Sequence, residues 1–344
     1  MKFIRALFFP FSIVYGWLMQ VRNHQFDNGQ RIQTEFDRIV ISVGNLSTGG
    51  TGKTPMIELL IRRLKANNKL ATVSRGYGRR TKGFRLANDH DDAKTIGDEP
   101  LQFYRKFGQD ITVSVCEERI LAIPSIIMEK DDVELFLLDD AYQHRKVARD
   151  YNIMLSDYSH PFYNDYVLPT GNLREPRAGA KRADAIIITK CPSLNDIERA
   201  RIIANVRGYN ENASIYFSHI DYQAIHPVFD KEDVSKEVVL LTGVAKPQPI
   251  VDYLANSYEV IKHLEYADHY NFRASDLDDI LKKFADLNTN ALVTTEKDMV
   301  RLLPFKSHPI FEKVNLFYLP IAFKIDKEEE FLSGIMKVIQ KGKR

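Results

Sequence analysis

Cysteine and net charge are both scarce in this sequence. Its 344 residues include two cysteines, Cys116 and Cys191, which lie far apart and outside any metal-ligand spacing, and the formal net charge at pH 7 is +2. These features exclude a disulfide framework and a cysteine-based zinc site, and they favour a reducing compartment. So small a net charge gives no basis for a nucleic-acid partner. Nothing in the sequence indicates an obligate protein partner.

An uninterrupted apolar run that could cross a membrane is also missing at the start of the chain. The run over 3–21 contains Arg5 and a proline, whereas a membrane-spanning helix needs about 20 apolar residues. The residues that follow do not resemble a signal-peptide cleavage site. Basic residues flank the run and Tyr15 and Trp17 lie inside it, which is typical of a helix in the headgroup layer. We predict a membrane-associated helix over 1–25; the alternative is a hydrophobic helix packed on the protein's own core.

From residue 38 onward, short apolar runs alternate with longer helical patterns. Continuous Val, Ile and Leu runs separated by helices indicate an α/β fold, with a parallel sheet covered by helices on both faces. Over 218–236 the alternation stops, in a stretch rich in Asp, His and Pro. A hydrophobic content of 44% is ordinary for a globular protein, and a length of 344 residues indicates two domains, or one domain with a large extension. We predict a larger domain over 26–217, a linker over 218–236 and a smaller α/β domain over 237–344.

The predicted strands of the larger domain are 38–43, 70–74, 111–115, 134–138, 151–155 and 185–189, and those of the smaller domain are 238–242, 260–264, 291–294 and 314–319.

A glycine-rich segment lies between the first predicted strand and the helix that follows. Its core is GGTGKT, and Ser47 stands where the usual motif has its first glycine. In such a loop the backbone N–H groups and the helix N-terminus face phosphates, the lysine reaches the β and γ oxygens, and the hydroxyl residue binds Mg²⁺. The sequence therefore predicts a P-loop NTPase-type sheet that binds ATP and Mg²⁺, with Lys53 in a catalytic role and Thr54 on the metal; the alternative is a glycine-rich turn.

The predicted nucleotide-binding residues are Ser47, Thr48, Gly49, Gly50, Thr51, Gly52, Lys53 and Thr54.

Two pairs of acids are candidates for the metal site and the base. Asp139 and Asp140 end an apolar strand, the position that holds Mg²⁺ in P-loop enzymes, and Asp139 is the first choice. Asp98 and Glu99 lie at a loop-to-helix boundary, where the commoner meaning is a helix cap with a first-turn acid. A kinase acting on a hydroxyl needs a base, and Asp98 steered by His269 from the opposite wall of a cleft would supply one. Glu99 is a further candidate metal ligand.

Two basic segments are candidates for binding anionic substrate. One contains Arg75 beside glycines, and the other contains Asn172, Arg174 and Glu175 in the order GNLRE. Arginine binds phosphate with two parallel hydrogen bonds, and the neighbouring glycines indicate special backbone geometry. Solvated surface charge is the alternative explanation.

Taken together, these motifs resemble those of one known family. GNLSTGGTGKTP, SRGYGRR, GDEP, LLDDAYQHR, PTGNLREP, TGVAKP, YADHY and TTEKD are similar, in that order, to the motif series of tetraacyldisaccharide 4'-kinases. The resemblance covers about residues 38 to 305, and the apolar N-terminus also fits it.

The resemblance implies transfer of the ATP γ-phosphoryl group to the 4'-hydroxyl of a tetraacylated disaccharide 1-phosphate in lipid A synthesis. It implies two α/β/α domains joined by a short β linker, and a membrane-bound N-terminal helix on the cytoplasmic face of the inner membrane. It also implies that Asp98 is the catalytic base and His269 its partner. Arg174 and Glu175 occupy the family's arginine–glutamate step.

Two other functions remain open on sequence alone. A dimeric P-loop ATPase of the partitioning or metal-insertion type has a similar loop, although such proteins usually carry a lysine just before the glycine pair, where this chain has Thr48. A nucleotide-gated membrane-binding protein without enzymatic activity is the other. Turnover that depends on a glycolipid acceptor separates the kinase from both.

Overall fold

The structure, a computed structural model, describes residues 8–229, 234–244, 246–268 and 270–342. In that part of the chain the larger of two sheets has nine strands, in the order β14-β8-β7-β6-β1-β5-β2-β4-β3. The seven neighbouring strands from β8 to β4 are parallel, and the two edge strands β3 and β14 are antiparallel to their neighbours. The second sheet, in the order β11-β10-β12-β13-β9, is parallel except at β9.

The strands of the larger sheet are β1 (Ile39–Asn45), β2 (Leu70–Ser74), β3 (Arg85–Leu86), β4 (Thr112–Val115), β5 (Leu135–Asp139), β6 (Tyr151–Asp157), β7 (Ala185–Thr189), β8 (Ser214–Tyr222) and β14 (Ile321–Ile325). Those of the second sheet are β9 (His226–Pro227), β10 (Glu237–Thr242), β11 (Glu259–Glu265), β12 (Ala291–Thr295) and β13 (Asn315–Leu319). The helices are Phe9–Asp27, Lys53–Leu64, Ala93–Ile96, Asp98–Phe107, Arg119–Glu129, Asp196–Arg207, Gln248–Leu254, Ala274–Phe284, Glu296–Leu302, Ile310–Lys313 and Glu328–Gly342.

The central strands are apolar along their length because both faces of the larger sheet are covered. In β1, Ile41 packs into a core with Met56 and Leu60 of the helix Lys53–Leu64. The preceding residue, Val40, points to the opposite face and packs into a core with Ile123. Successive side chains of a strand alternate between the faces, so a strand with helices on both sides needs apolar residues at nearly every position. The predicted α/β class with helices on both faces is confirmed.

The predicted domain boundaries need correction at both ends of the smaller domain. Strand β8 runs through the start of the predicted linker 218–236, and its second half pairs with β14. The helix Glu328–Gly342 then packs Phe331, Ile335 and Ile339 into the core of the larger sheet. The end of the chain, predicted within 237–344 as part of the smaller domain, therefore belongs to the larger one. The apolar spacing shows that this helix has a buried face, but it does not show which sheet that face covers.

The N-terminal helix spans Phe9–Asp27 and thus continues beyond the predicted 1–25 region; residues 1–7 lie outside the described residues. Large apolar side chains point outward along it, with Phe11 65% and Trp17 60% exposed, whereas Ser12 and Gly16 are buried. Among the described residues, no helix combines the length and the apolar character needed to cross a membrane.

Candidate active site

The glycine-rich segment links β1 to the helix Lys53–Leu64, as predicted. Gly49 and Gly52 have φ angles of +108° and +89°, in the region that glycine adopts without strain. A Cβ atom at Gly52 would also lie 3.2 Å from the Phe323 ring. The Thr189 hydroxyl donates to the Thr51 carbonyl at 2.9 Å, and the Lys190 ammonium donates to the Gly50 carbonyl. The end of β7 thus holds the loop from one side.

A second segment holds the loop from the other side. The Thr48 N–H donates to the Asn172 carbonyl at 2.7 Å, and the Arg174 N–H donates to the Leu46 carbonyl at 2.7 Å. The backbone of the GNLRE segment, which is predicted to bind substrate, therefore packs along the phosphate loop and is hydrogen-bonded to it.

Asp140 is held between two cations beside the loop. Because β1 and β5 are parallel neighbours, Lys53 and Asp140 follow strand ends on one edge of the sheet. The Lys53 Nζ atom lies 3.6 Å from Asp140 Oδ1, and Arg174 Nη1 donates to both Asp140 oxygens at 2.9 and 3.0 Å. Burial acts to raise the pKa of Asp140, but Lys53 and Arg174 outweigh it and hold that pKa below its ordinary value.

Asp139 has a different environment from its neighbour. Its Oδ2 atom accepts a hydrogen bond from the Ser74 hydroxyl at 3.2 Å. Burial, with added repulsion from Asp140 and Glu99, raises the pKa of Asp139 to about 6 despite the nearby Lys53 and Arg119. Such a carboxylate gains most from a bound cation.

The residues fit a Mg²⁺ ion held mainly by ATP. Among the described residues, no three His, Cys, Asp or Glu side chains come together closely enough to hold a metal. Mg²⁺ normally keeps several waters and takes one or two carboxylates together with substrate phosphates. Asp139 and the predicted Thr54 would meet that need, whereas Asp140 and Glu99 are already paired with cationic side chains.

Asp98 and Glu99 open the helix Asp98–Phe107 and face a helix of the second sheet. Arg301 donates to Asp98 Oδ2 from Nε at 2.8 Å and from Nη2 at 2.6 Å, and Lys297 donates to Glu99 at 2.8 Å. Gly97, not Asp98, is the capping residue of the helix. The Asp98 carboxylate therefore takes part in a contact between the two sheets and does not cap its helix. His269, the predicted partner of Asp98, lies outside the described residues.

The Arg75 loop borders the same region. Arg75 is exposed at the end of β2, with its guanidinium 5.2 Å from the centre of the Tyr77 ring. The carbonyl of Tyr77 would lie 3.0 Å from a Cβ atom at Gly97, so this loop packs directly against the residue before Asp98. Arg75 thus lies on an exposed loop beside the start of the helix Asp98–Phe107, and its role in binding substrate stays a prediction.

Glu175 does not suit the predicted role in substrate binding. Its side chain is fully buried, and its carboxylate accepts hydrogen bonds from Asn23, Gln143 and Arg182. A carboxylate enclosed by protein donors has no surface to offer a substrate. Glu175 instead fixes the segment that carries Asn172 and Arg174.

Two cations of the site were not singled out from the sequence. Lys297 and Arg301 lie in and just after the TTEKD motif, on the helix Glu296–Leu302. The Thr295 side chain caps this helix by accepting from the Asp298 N–H, and the Asp298 carboxylate holds Arg301 Nη1 at 2.9 Å. A threonine three residues before an acid is a capping signal, and an arginine three residues later lies on the same helix face as that acid.

The raised pKa of Asp139 predicts how Mg²⁺ binding varies with pH. Mg²⁺ binds the ionised carboxylate and so competes with a proton. Since this pKa is about 6, Mg²⁺ affinity measured by calorimetry should be constant above that pH and fall below it, approaching about tenfold per pH unit. Asp139→Asn should bind Mg²⁺ weakly with little dependence on pH between 5 and 7, while Asp110→Asn, at a surface acid, should match the wild type. An unchanged titration in Asp139→Asn would contradict the metal role.

The fold and the site together define a class of protein. It is a P-loop nucleotide-binding enzyme of two α/β units, with a strand–loop–helix phosphate loop and a strand-end acid pair. Its second unit contacts a further acid pair, Asp98 and Glu99.

Comparison with known proteins narrows this class to one family. The sequence profile described as tetraacyldisaccharide-1-P 4'-kinase matches residues 4–340. Proteins named tetraacyldisaccharide 4'-kinase are 40% identical in Flavobacterium johnsoniae, over 99% of this chain and 98% of theirs, and 38% identical in Phocaeicola vulgatus, over 99% and 97%. The crystal structure of LpxK from Aquifex aeolicus in complex with ATP is 26% identical, with a TM-score of 0.75 over 98% of this chain and 99% of that one. The chain belongs to the tetraacyldisaccharide 4'-kinase family, and the family resemblance predicted from its motifs is confirmed.

Proposed function

We propose that this protein transfers the γ-phosphoryl group of ATP to the 4'-hydroxyl of a tetraacylated glucosamine disaccharide 1-phosphate in lipid A biosynthesis. Family membership supports the reaction. The structural observation that supports it best is the meeting of Lys53, Asp139 and the Asp98–Glu99 pair at one sheet edge, facing cations from the second unit. This arrangement favours phosphoryl transfer over the partitioning ATPase and the nucleotide-gated membrane protein.

The residues supply positioning and charge, which carry most of the rate in phosphoryl transfer. Lys53 faces the β and γ oxygens of ATP, and Asp140 holds Lys53 and Arg174 beside the loop. Thr54 and Asp139 would hold Mg²⁺, which supplies neutralisation of the phosphate charge. Asp98 accepts the proton of the attacking hydroxyl, with His269 as its partner. Arg75, Asn172 and Arg174 line the side on which an anionic acceptor enters.

A transfer assay tests the function directly. The protein is incubated with γ-labelled ATP, Mg²⁺ and tetraacyldisaccharide 1-phosphate, and the lipid is separated by chromatography. Label should appear in the lipid, and an acceptor that lacks the 4'-hydroxyl should remain unlabelled. Hydrolysis of ATP at the same rate with and without the acceptor would contradict the proposal.

The acceptor is a lipid, and we propose that the outward face of the N-terminal helix contacts the membrane at the cytoplasmic face of the inner membrane. This face carries Phe11, Val14, Trp17 and Leu18, all more than half exposed. Side chains of this kind are stabilised on leaving water for the headgroup boundary.

Replacing Phe11, Trp17 and Leu18 together by glutamine should move the protein from the membrane fraction to the soluble fraction, measured by sedimentation with vesicles. The matched control is Leu121→Gln with Met128→Gln, because these side chains are also exposed, at 57% and 88%, but lie on another helix. Equal loss of sedimentation in both variants would contradict a specific role of the N-terminal helix.

A further inference from the structure

The N-terminal helix has a second face, which is polar and turned toward the active site. The Ser12 hydroxyl donates to Thr170 Oγ1 at 2.7 Å and accepts from the Thr170 N–H at 3.0 Å. One turn further on, a Cβ atom at Gly16 would lie 3.3 Å from Val167. The absence of a side chain at Gly16 therefore lets the helix lie close against the segment 167–175.

That segment connects the helix to the phosphate loop through Arg174. The Tyr15 hydroxyl donates to the Arg174 carbonyl at 2.7 Å. The Arg174 N–H donates to the Leu46 carbonyl at 2.7 Å, and the Arg174 guanidinium donates to the Asp140 carboxylate. Arg174 is thus held at three points, by the helix, by the chain entering the phosphate loop, and by the acid beside Lys53.

A parallel connection runs through the next residue. Asn23 Nδ2 donates to Glu175 Oε2 at 2.7 Å. Gln143 Nε2 donates to Glu175 Oε1 at 3.0 Å and to the Asn45 carbonyl at 2.8 Å, at the last residue of β1. Glu175 is fully buried and has no room to move independently of its partners. A shift of the helix would therefore also displace Gln143 and the Asn45 carbonyl at the start of the loop.

We propose that Tyr15 is a positioning residue for the phosphate loop, through which contact of the N-terminal helix with a membrane is coupled to binding of MgATP. The outward face of the helix contacts the lipid surface, and the opposite face, through Tyr15, contacts Arg174. A helix fixed on a membrane therefore holds the phosphate loop in the geometry that binds MgATP. Coupling of this kind is reciprocal: vesicles tighten nucleotide binding, and nucleotide tightens vesicle binding. The proposal rests on the membrane contact described under the proposed function.

The test is calorimetric titration of the full chain with a non-hydrolysable ATP analogue and Mg²⁺, with and without vesicles of phosphatidylethanolamine and phosphatidylglycerol. In the wild type, vesicles should lower the Kd for the analogue about threefold to tenfold, the range of one intramolecular hydrogen bond. Tyr15→Phe, which removes one hydroxyl, should reduce this vesicle effect, because only the connection through Asn23 and Glu175 remains, and the variant should still sediment with vesicles.

Tyr253→Phe is the matched control, because the Tyr253 hydroxyl also donates to a backbone carbonyl, that of Gln223, at 3.2 Å in the second unit. It should keep the full vesicle effect. If vesicles do not change the nucleotide affinity of the wild type, the proposal is overturned, and this result does not depend on the folding of any variant. A Tyr15→Phe protein that keeps the full vesicle effect also overturns it. No acceptor lipid enters the titration, so failure of the transfer assay alone would count against the proposed reaction and leave the coupling standing.

Discussion

Replacing Lys53 by alanine should lower kcat by about 10²- to 10³-fold while the protein stays folded, because a preorganised cation facing the transferred phosphoryl group is removed. The Lys53 side chain lies 3.6 Å from Asp140, in the first turn of the helix Lys53–Leu64. Its loss also leaves Asp140 and Asp139 with less positive charge nearby, which should weaken binding of the ATP phosphates.

The measurement is kcat together with the Kd for MgATP, with circular dichroism to check the fold. Lys65→Ala is the matched control, since Lys65 follows the same helix at its other end and pairs with Asp110 at the surface. It should retain wild-type kcat. A folded Lys53→Ala protein with normal kcat would exclude the phosphate-loop assignment.

Deletion of the N-terminal helix would remove two kinds of contact at once, one with the membrane and one with the segment beside the phosphate loop. Deleting residues 1–21 should release the protein from membranes and impair use of the lipid, as the apolar run predicts. The deletion also removes Ser12 and Tyr15, however, which hold the segment beside the phosphate loop. Loss of activity after deletion therefore combines two effects, and the glutamine variant of the outward face is needed to separate them.

Local patterns in the sequence predicted ten of the 14 described strands and missed β3, β8, β9 and β14. Strands β2 and β7 have the predicted ends, since every residue in them is buried. The phosphate loop was also predictable, because its glycines, lysine and threonine work through the backbone of one short segment.

Contacts between distant segments could not be predicted in this way. Arg301 and Asp98 are 203 residues apart, and Tyr15 and Arg174 are 159 apart. Strand β14 returns to the larger sheet and pairs with its edge strand β8. This pairing cannot be predicted from the sequence of either segment alone. The preference for Asp139 over Asp140 as a metal ligand stays a prediction. The uneven placement of Lys53 and Arg174 around the two acids, on which it depends, is visible only in three dimensions.

The contact of Arg301 with Asp98 gives a second large expected effect. If Asp98 is the base, Asp98→Ala should lower kcat by about 10²- to 10⁴-fold with MgATP affinity retained. Arg301 acts through that carboxylate, so Arg301→Ala should also lower kcat, by less.

The decisive measurement is a double-mutant cycle in kcat with wild type, Asp98→Ala, Arg301→Ala and the double variant. Residues that act as a unit give losses that do not add, so the double variant should be little worse than Asp98→Ala alone. The same cycle with His269→Ala tests the partner that the sequence predicts. Arg63→Ala is the control, since Arg63 pairs with Glu328 away from the site. This variant should leave kcat unchanged. Multiplicative losses for Asp98 and Arg301 would mean that Arg301 only joins the two units. A near-normal rate in Asp98→Ala would remove the base assignment, leaving Asp98 as one side of an ion pair between the sheets.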